Sequence, residues 1–554
     1  KVQNSDSDKD DYYVQFNGEN ERDGPGVWRE CTEPGRQIEI DAGKMPVQLV
    51  REVNNTFQLS EVIWKDCNVG DTTLVPKPSF ISTVAGDDDD TVTKDRFINK
   101  LLFFRNRLVI LSGENVIMSQ PGDFFNFWPK SAITFSPLDN IDLSCSSDSP
   151  ATVYDGIQVN AGLVLFTKNQ QFMLTTDSDV LSPETAKINA LSTYNFNEKS
   201  NPISLGTTIA FLDNAGKYTR FWEMTGAARE GDPNVLEQSK VVSTLLDSDI
   251  ELVSNSRENS IVFFSKTGSS TLYGWRYLTA SRERLQQAWF TWEFTGTIRH
   301  HCILDDSLYI VIRNNNKDTL RRIPIRVDTD TATVTDDMDT ADTSDDITYS
   351  LHLDNYSTIS IASGTYNSST NKTTFAKPTA GYEDVGQMAV YDNSAGSGNT
   401  DPIGKYATAT VNGSNLEITG DWSNNSVLLG YLYDMKVKFP TIYVTSTSED
   451  RTRADTSASL VVHRVKFNFG PSGLYKTTLH RVGKTEYTET FEPVIANKTK
   501  TNQIAILEER TGTIPVYEKN TNLSVTLEST HPAPATLYSM TWEGDYNPKY
   551  YQRV

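Results

Sequence analysis

The apolar and polar positions of the chain fall into a repeated figure: a short apolar run, a polar turn, a second apolar run. Residues 101–128 read LLFFRNRLVILSGENVIMSQPGDFFNFW. Leu108–Leu111 and Val116–Ser119 are two such runs, and Ser112-Gly113-Glu114-Asn115 between them reads as a tight hairpin loop. Pro121-Gly122 turns the chain again. Phe124, Phe125, Phe127 and Trp128 follow, an aromatic anchor that demands burial.

The figure returns at 163–174 (LVLFTKNQQFML), 207–224 (TTIAFLDNAGKYTRFWEM), 261–277 (IVFFSKTGSSTLYGWRY) and 308–325 (LYIVIRNNNKDTLRRIPI). A further hairpin is expected at 49–64, LVREVNNTFQLSEVIW. The repeats start roughly 45–55 residues apart, the spacing of propeller blades. An ordinary stack of β-sandwiches is the alternative. The expected class is all-β, with repeated propeller-like hairpins, a β-sandwich platform and a small inserted β tip domain. One helix is expected among the hairpins, over 232–246. Asp232 suits its N-cap and Pro233 its first position, and Val235, Leu236, Val241, Val242, Leu245 and Leu246 follow at helical spacing.

Changes of character along the chain suggest four parts. Residues 1–80 are a polar lead followed by short strands, part of a platform. Residues 81–349 hold the repeated hairpins, entered through a solvated loop at Asp87–Asp90 and left through the acidic, Thr-rich stretch 328–346. Residues 350–450, rich in Ser, Thr, Asn and Gly, read as an inserted tip domain. Residues 451–554 return to clear alternation, as in Leu460–Phe467, and read as a closing β-sandwich that completes the platform.

Composition narrows the function. The 554 residues are 37% hydrophobic and 10% aromatic, enough for a folded chain of about three or four domains. The formal charge of -21 opposes any surface that grips nucleic acid by neutralising phosphates. Cys31, Cys67, Cys145 and Cys302 are scattered without CxxC spacing, so buried thiols of a cytosolic product are expected rather than a disulfide framework. No apolar run approaches the ~18 residues of a membrane helix, and no signal peptide is expected.

Candidate chemistry is weak throughout. Asp328 and Asp330 begin a D-x-D pattern, but residue 332 is Ala and the Gly and Glu of a calcium loop are missing. His300 and His301 are adjacent, and as strand neighbours they face opposite ways and cannot share a metal. Gly483-Lys484-Thr485 lacks the first glycine of a phosphate loop, since residue 478 is Thr. Gly268-Ser269-Ser270 fails the nucleophile elbow, since residue 272 is Leu. Carboxylate pairs suited to glycoside hydrolysis are too numerous to rank. No catalytic, cofactor-binding or metal-binding residue is assigned, no cofactor is expected, and the chain is read as no enzyme. The aromatics at 124–128 suit burial better than stacking on sugars or bases.

The central run FFRNRLVILSGENVIMSQPGDFFNFW also resembles tail tubular protein B, the tail nozzle family of short-tailed bacteriophages. Further segments agree in the same order: YYVQF at 12–16, GVWRE at 26–30, MPVQLVRE at 45–52, WKDCNVGD at 64–71 and PKPSF at 76–80. SPETAKINALSTY at 182–194, GTTIAFLDNAGKYTRFWEM at 206–224, HLDNY at 352–356 and GYLYDMKVKFP at 430–440 continue it, and WEGDYNPKYYQRV ends the chain. The likeness fades between about 360 and 425, and Cys67 stands where the family pattern has Arg. The family is longer at its N-terminus, so the chain is expected to be a fragment or a partly ordered chain.

The resemblance implies a structural virion protein, made in the host cytoplasm and carried in the tail. It implies a homohexameric ring at the distal end that docks on the tail adaptor, can touch tail fibres, meets the host cell surface at its tip, and passes DNA without binding it specifically. The alternative reading is a polysaccharide-degrading or glycan-binding β protein.

Overall fold

The computed structural model describes residues 1–3, 11–20, 23–36, 38–81, 97–147, 150–214, 216–227, 232–280, 283–326, 332–336, 344, 346–378, 387–392, 404–448, 451–493 and 506–548. The expected loops at Asp87–Asp90 and at Asp328 and Asp330 lie outside them. The described residues form strands, turns and three short 3-10 segments, with no α-helix among them. The chain divides into two compact units, Lys1–Ile325 and Arg326–Val554.

The first unit is built on five consecutive antiparallel meanders. The first sheet runs through Ile98–Phe104, Arg107–Ser112, Asn115–Met118 and Ile141–Ser144. The second uses Val153–Val159, Gly162–Thr167, Gln171–Thr176 and Ala186–Ser192, and the third Ile203–Ser204, Ile209–Asp213, Arg220–Thr225 and Asn234–Glu237. The fourth uses Leu252–Ser256, Ile261–Ser265, Thr271–Ala280 and Glu283–Glu293. The fifth has three strands, Thr297–Leu304, Ser307–Asn314 and Lys317–Pro324. The hairpins expected from the apolar pattern are the second and third strands of these sheets.

Strand periodicity explains why those second strands read as unbroken apolar runs. Successive side chains point to opposite faces, and each inner sheet is covered on both. Val109 and Leu111 face the second sheet, packing with Leu163 and Leu165. Val164 and Phe166 face the third, meeting Ile209 and Phe211. Ala210 and Leu212 face the fourth, meeting Val262 and Phe264. Ile261 and Phe263 face the fifth, meeting Leu308, Ile310 and Ile312. Each such Val, Leu, Ile or Phe side chain contributes about 1.5–3 kcal/mol through burial.

The sheets also meet along their first strands. Lys100 pairs with Asp155 at 2.7 Å and reaches Asn201 at 2.9 Å, linking the first sheet to the second and to the entry of the third. Asn255 donates to the Ser204 carbonyl at 2.8 Å, and Ser254 Oγ lies 2.6 Å from His301 Nδ1.

The helix expected over 232–246 does not form. Asn234–Glu237 joins the third sheet as its fourth strand, with Trp222 opposite Glu237 and Met224 opposite Val235, and a 3-10 segment Gln238–Val242 follows. The open ladder of Arg220–Thr225 satisfies these backbone groups. The apolar residues serve two different cores, Val235 between sheets two and three and Leu246 between three and four, so they share no helix face.

In the second unit, a seven-stranded antiparallel sheet between Asp354 and Tyr431 packs Phe375, Leu416, Ile418, Trp422 and Leu429 beneath it. A sandwich follows. Its four-stranded sheet comprises Met435–Lys438, Tyr475–Arg481, Tyr487–Phe491 and Leu523–Ser529, and faces the sheet of Ser459–Ser472, Arg510–Lys519 and Ala535–Asn547. Leu460 and Val462 point inward, a bulge at His463 shifts the phase, and Val465 and Phe467 point inward again. That bulge reconciles the run LVVHRVKF with strict alternation.

Candidate functional surfaces

The aromatic centre is a structural clasp. Arg105 and Asn106 take left-handed backbone angles (φ 46° and 60°) at the turn between the first two strands of the first sheet. Arg107 then enters the core at 1% exposure. Its Nη1 donates to the carbonyls of Ser119 at 2.7 Å and Asp139 at 2.6 Å, and its Nη2 to Pro137 at 3.0 Å and Leu181 at 3.3 Å. Burial pushes the guanidinium pKa down, and Asp139 opposes that shift. Gln120 holds the Trp128 carbonyl at 2.7 Å, and Trp128 donates from its indole to the Lys65 carbonyl at 2.9 Å. Phe127 is fully buried, with its ring 5.9 Å from Trp64 and 5.1 Å from Phe80. Phe124 and Phe125 are half-buried, against Phe103 and Trp64. The anchor therefore fixes segment 62–81 onto the outer face of the first sheet and offers no open stacking platform.

The buried ionic groups are likewise structural. Glu223, 4% exposed, receives Arg284 Nη2 at 2.9 and 3.1 Å, Thr208 Oγ1 at 2.8 Å and Gln238 Nε2 at 2.6 Å. Arg284 lies over the rings of Trp275 and Tyr277, 4.7 and 4.5 Å from their centroids. This carboxylate joins the third and fourth sheets and faces no substrate cleft. Burial raises the pKa of Asp155, with Lys100 opposing the rise.

His301 is buried and His300 exposed, on opposite faces of their strand. Among the described residues no three His, Cys, Asp or Glu side chains gather as metal ligands. Gly483 (φ 75°) turns a hairpin and Lys484 pairs with Glu518 at 2.7 Å, while Gly268 (φ 86°) turns another. A cleft of about 200 Å³ lined by Tyr443, Ser457, Lys519 and Asn520 is smaller than ligand pockets of ~300–1,000 Å³. The four cysteines are unpaired thiols. Burial, with a lesser contribution from the Glu114 charge, pushes Cys145 up to about 12, and Cys67 is buried with its thiol 3.3 Å from the Val69 carbonyl.

The structure also leaves large apolar side chains exposed. The hairpin Gln48–Arg51/Phe57–Ser60 has no buried residue, and Leu49, Phe57 and Leu59 are 65%, 64% and 67% exposed. Leu304 and Leu320 of the fifth sheet are 61% and 69% exposed. Sequence patterning missed both patches, because a strand's periodicity shows an apolar face without showing what covers it.

The described residues thus form an all-β chain of packed antiparallel sheets with two exposed apolar patches. Residues 1–553 match the bacteriophage nozzle protein family. The chain is 23% identical over 557 residues to the tail tubular protein gp12 of Escherichia phage T7, covering 97% of this chain and 64% of that protein's length. Among solved structures, Hsv2 of Kluyveromyces lactis aligns with a TM-score of 0.26 at 10% identity over 41% of this chain and 60% of its own. The exo-beta-1,3-galactanase of Phanerochaete chrysosporium aligns at 0.22 and 9%, over 84% and 99%. Scores this low carry no argument about fold or activity.

The chain belongs to the bacteriophage nozzle protein family. It spans 64% of the length of the T7 tail protein that it matches.

Proposed function

We propose that the chain forms the distal nozzle of a short tail, a homohexameric ring through which DNA leaves the particle. The match to the nozzle family over residues 1–553 carries this reading. In it the five stacked sheets radiate as propeller blades within residues 81–349. Residues 1–80 and 451–554 form the platform that docks on the tail adaptor ring, and its edge meets the tail fibres. Residues 350–450 form the tip that meets the cell surface.

Charge supplies the mechanism. Six copies bring 6 × (-21) = -126 formal charges to the ring. A lumen rich in carboxylates repels a duplex from every side and keeps it near the axis, with cations screening over about 10 Å in 0.1 M salt. A basic lumen making ~6–10 phosphate contacts would hold the duplex and stall it. The test is filter binding of duplex DNA to the assembled protein at low ionic strength. No retention is expected, and tight, salt-sensitive binding would overturn a passing conduit.

A further inference from the structure

The second strand of each of the five meanders is a continuous apolar run, which periodicity assigns to burial on both faces. Four sheets satisfy it. In the fifth, Leu308, Ile310 and Ile312 are buried against the fourth sheet, but the alternate residues Tyr309 and Val311 are half-buried and belong to no core cluster among the described residues. That face carries Cys302 and Arg322 on either side of Tyr309, Leu320 beside Val311, and Leu304 at its end. Leu304, Leu320 and Cys302 are exposed.

The opposite end of the series carries the complementary feature. Met45 and Val62 anchor segment 46–61 in the core on the outer face of the first sheet. From that base the hairpin pairs Leu49 with Leu59 and Arg51 with Phe57, so Leu49, Leu59 and Phe57 share one face. A lone two-stranded hairpin with one exposed apolar face is marginal in water, and contact with a partner stabilises it.

We propose that the hairpin of one copy seats its Leu49–Phe57–Leu59 face on the open face of the fifth sheet of a second copy. This rests on the ring proposed above and names its contact. Three observations favour a second copy as the occupant. Both halves belong to every chain and lie at the two ends of one stack, as a heterologous, ring-closing contact needs. Both expose large apolar side chains, Leu49, Phe57 and Leu59 on the one and Leu304 and Leu320 on the other. Their charges also oppose: strands and turns 297–324 hold five basic and three acidic residues, net +2, while 46–61 holds one basic and two acidic, net -1, on a chain of net -21. Elsewhere two such acidic chains repel.

Cys302 makes the contact testable. Leu49→Cys, Phe57→Cys and Leu59→Cys are introduced one at a time, and the purified oligomer is treated with a short bis-maleimide. At least one variant is expected to give a ladder of covalently joined chains in denaturing gels, abolished by adding Cys302→Ser. Phe57→Asp and Leu320→Asp, both on exposed positions, are expected to weaken association roughly tenfold or more without changing the circular dichroism spectrum. An oligomer that forms without any ladder, or a cross-link confined to single chains, overturns the contact while leaving the ring intact. A chain that stays monomeric at every concentration overturns the contact together with the ring.

Discussion

Arg107 donates to the Asp139 backbone carbonyl at 2.6 Å, and the same guanidinium reaches three further carbonyls. A single buried cation thus ties the end of one hairpin, the turn at 137–139 and a loop of the next sheet. Arg107→Met is expected to leave three buried acceptors and one partly exposed acceptor unpaired and to destabilise the first unit by about 4 kcal/mol or more. Arg107→Lys, with one compact ammonium, is expected to recover less than half of that. Denaturant melts read by tryptophan fluorescence check both.

The Glu223–Arg284 pair makes a second structural prediction. Glu223→Gln leaves Arg284 against Trp275 and Tyr277 without its counter-charge, at an expected cost of about 3 kcal/mol. Removing both charges with Glu223→Gln/Arg284→Met is expected to cost less than the sum of the single changes. A double-mutant cycle in chemical denaturation measures the coupling, and strict additivity would show that the pair does not join the sheets.

Acid is expected to weaken both units. Burial lowers His301 and His531 from 6.5 to about 4, with the neighbouring charge of His300 adding to the effect at His301. The unfolded chain therefore takes up these protons first as pH falls. Stability is fully present above pH 6.5 and is lost progressively down to about pH 4, by about 3 kcal/mol per ring. Denaturation midpoints measured from pH 7.5 to 4 should fall. His301→Gln should flatten the profile of the first unit alone.

Phe127→Ala is expected to cost about 3–5 kcal/mol. Its effect should be local as well as global, because Phe127, Trp64 and Phe80 hold segment 62–81 to the first sheet. Limited proteolysis should cut that segment in the variant before any site within the five sheets. Simultaneous cleavage throughout would contradict an anchoring role.

Much of this architecture was legible in the sequence. The apolar pairs such as Leu163–Phe166 with Phe172–Leu174 announced the hairpins, because a strand covered on both faces has no polar position to hide it. The helix over 232–246 was misread, since its i, i+3 spacing arose from two short segments serving different cores. The roles of Arg107 and Glu223 were illegible, because their partners are backbone carbonyls and side chains 12 to 74 residues away. The exposed hairpin and the open face of the fifth sheet were illegible for a further reason: composition cannot say which apolar surface its own chain leaves uncovered. The nozzle assignment came from an ordered series of segments, each weak alone.

The central claim is that this chain forms the distal end of the tail. Image averaging of virion tails carrying a gold-binding tag within residues 350–450 tests it most directly. The account predicts a sixfold ring with an open axis and the label at the end farthest from the capsid. Label at the capsid-proximal end of the tail, or tails that carry none, would contradict it.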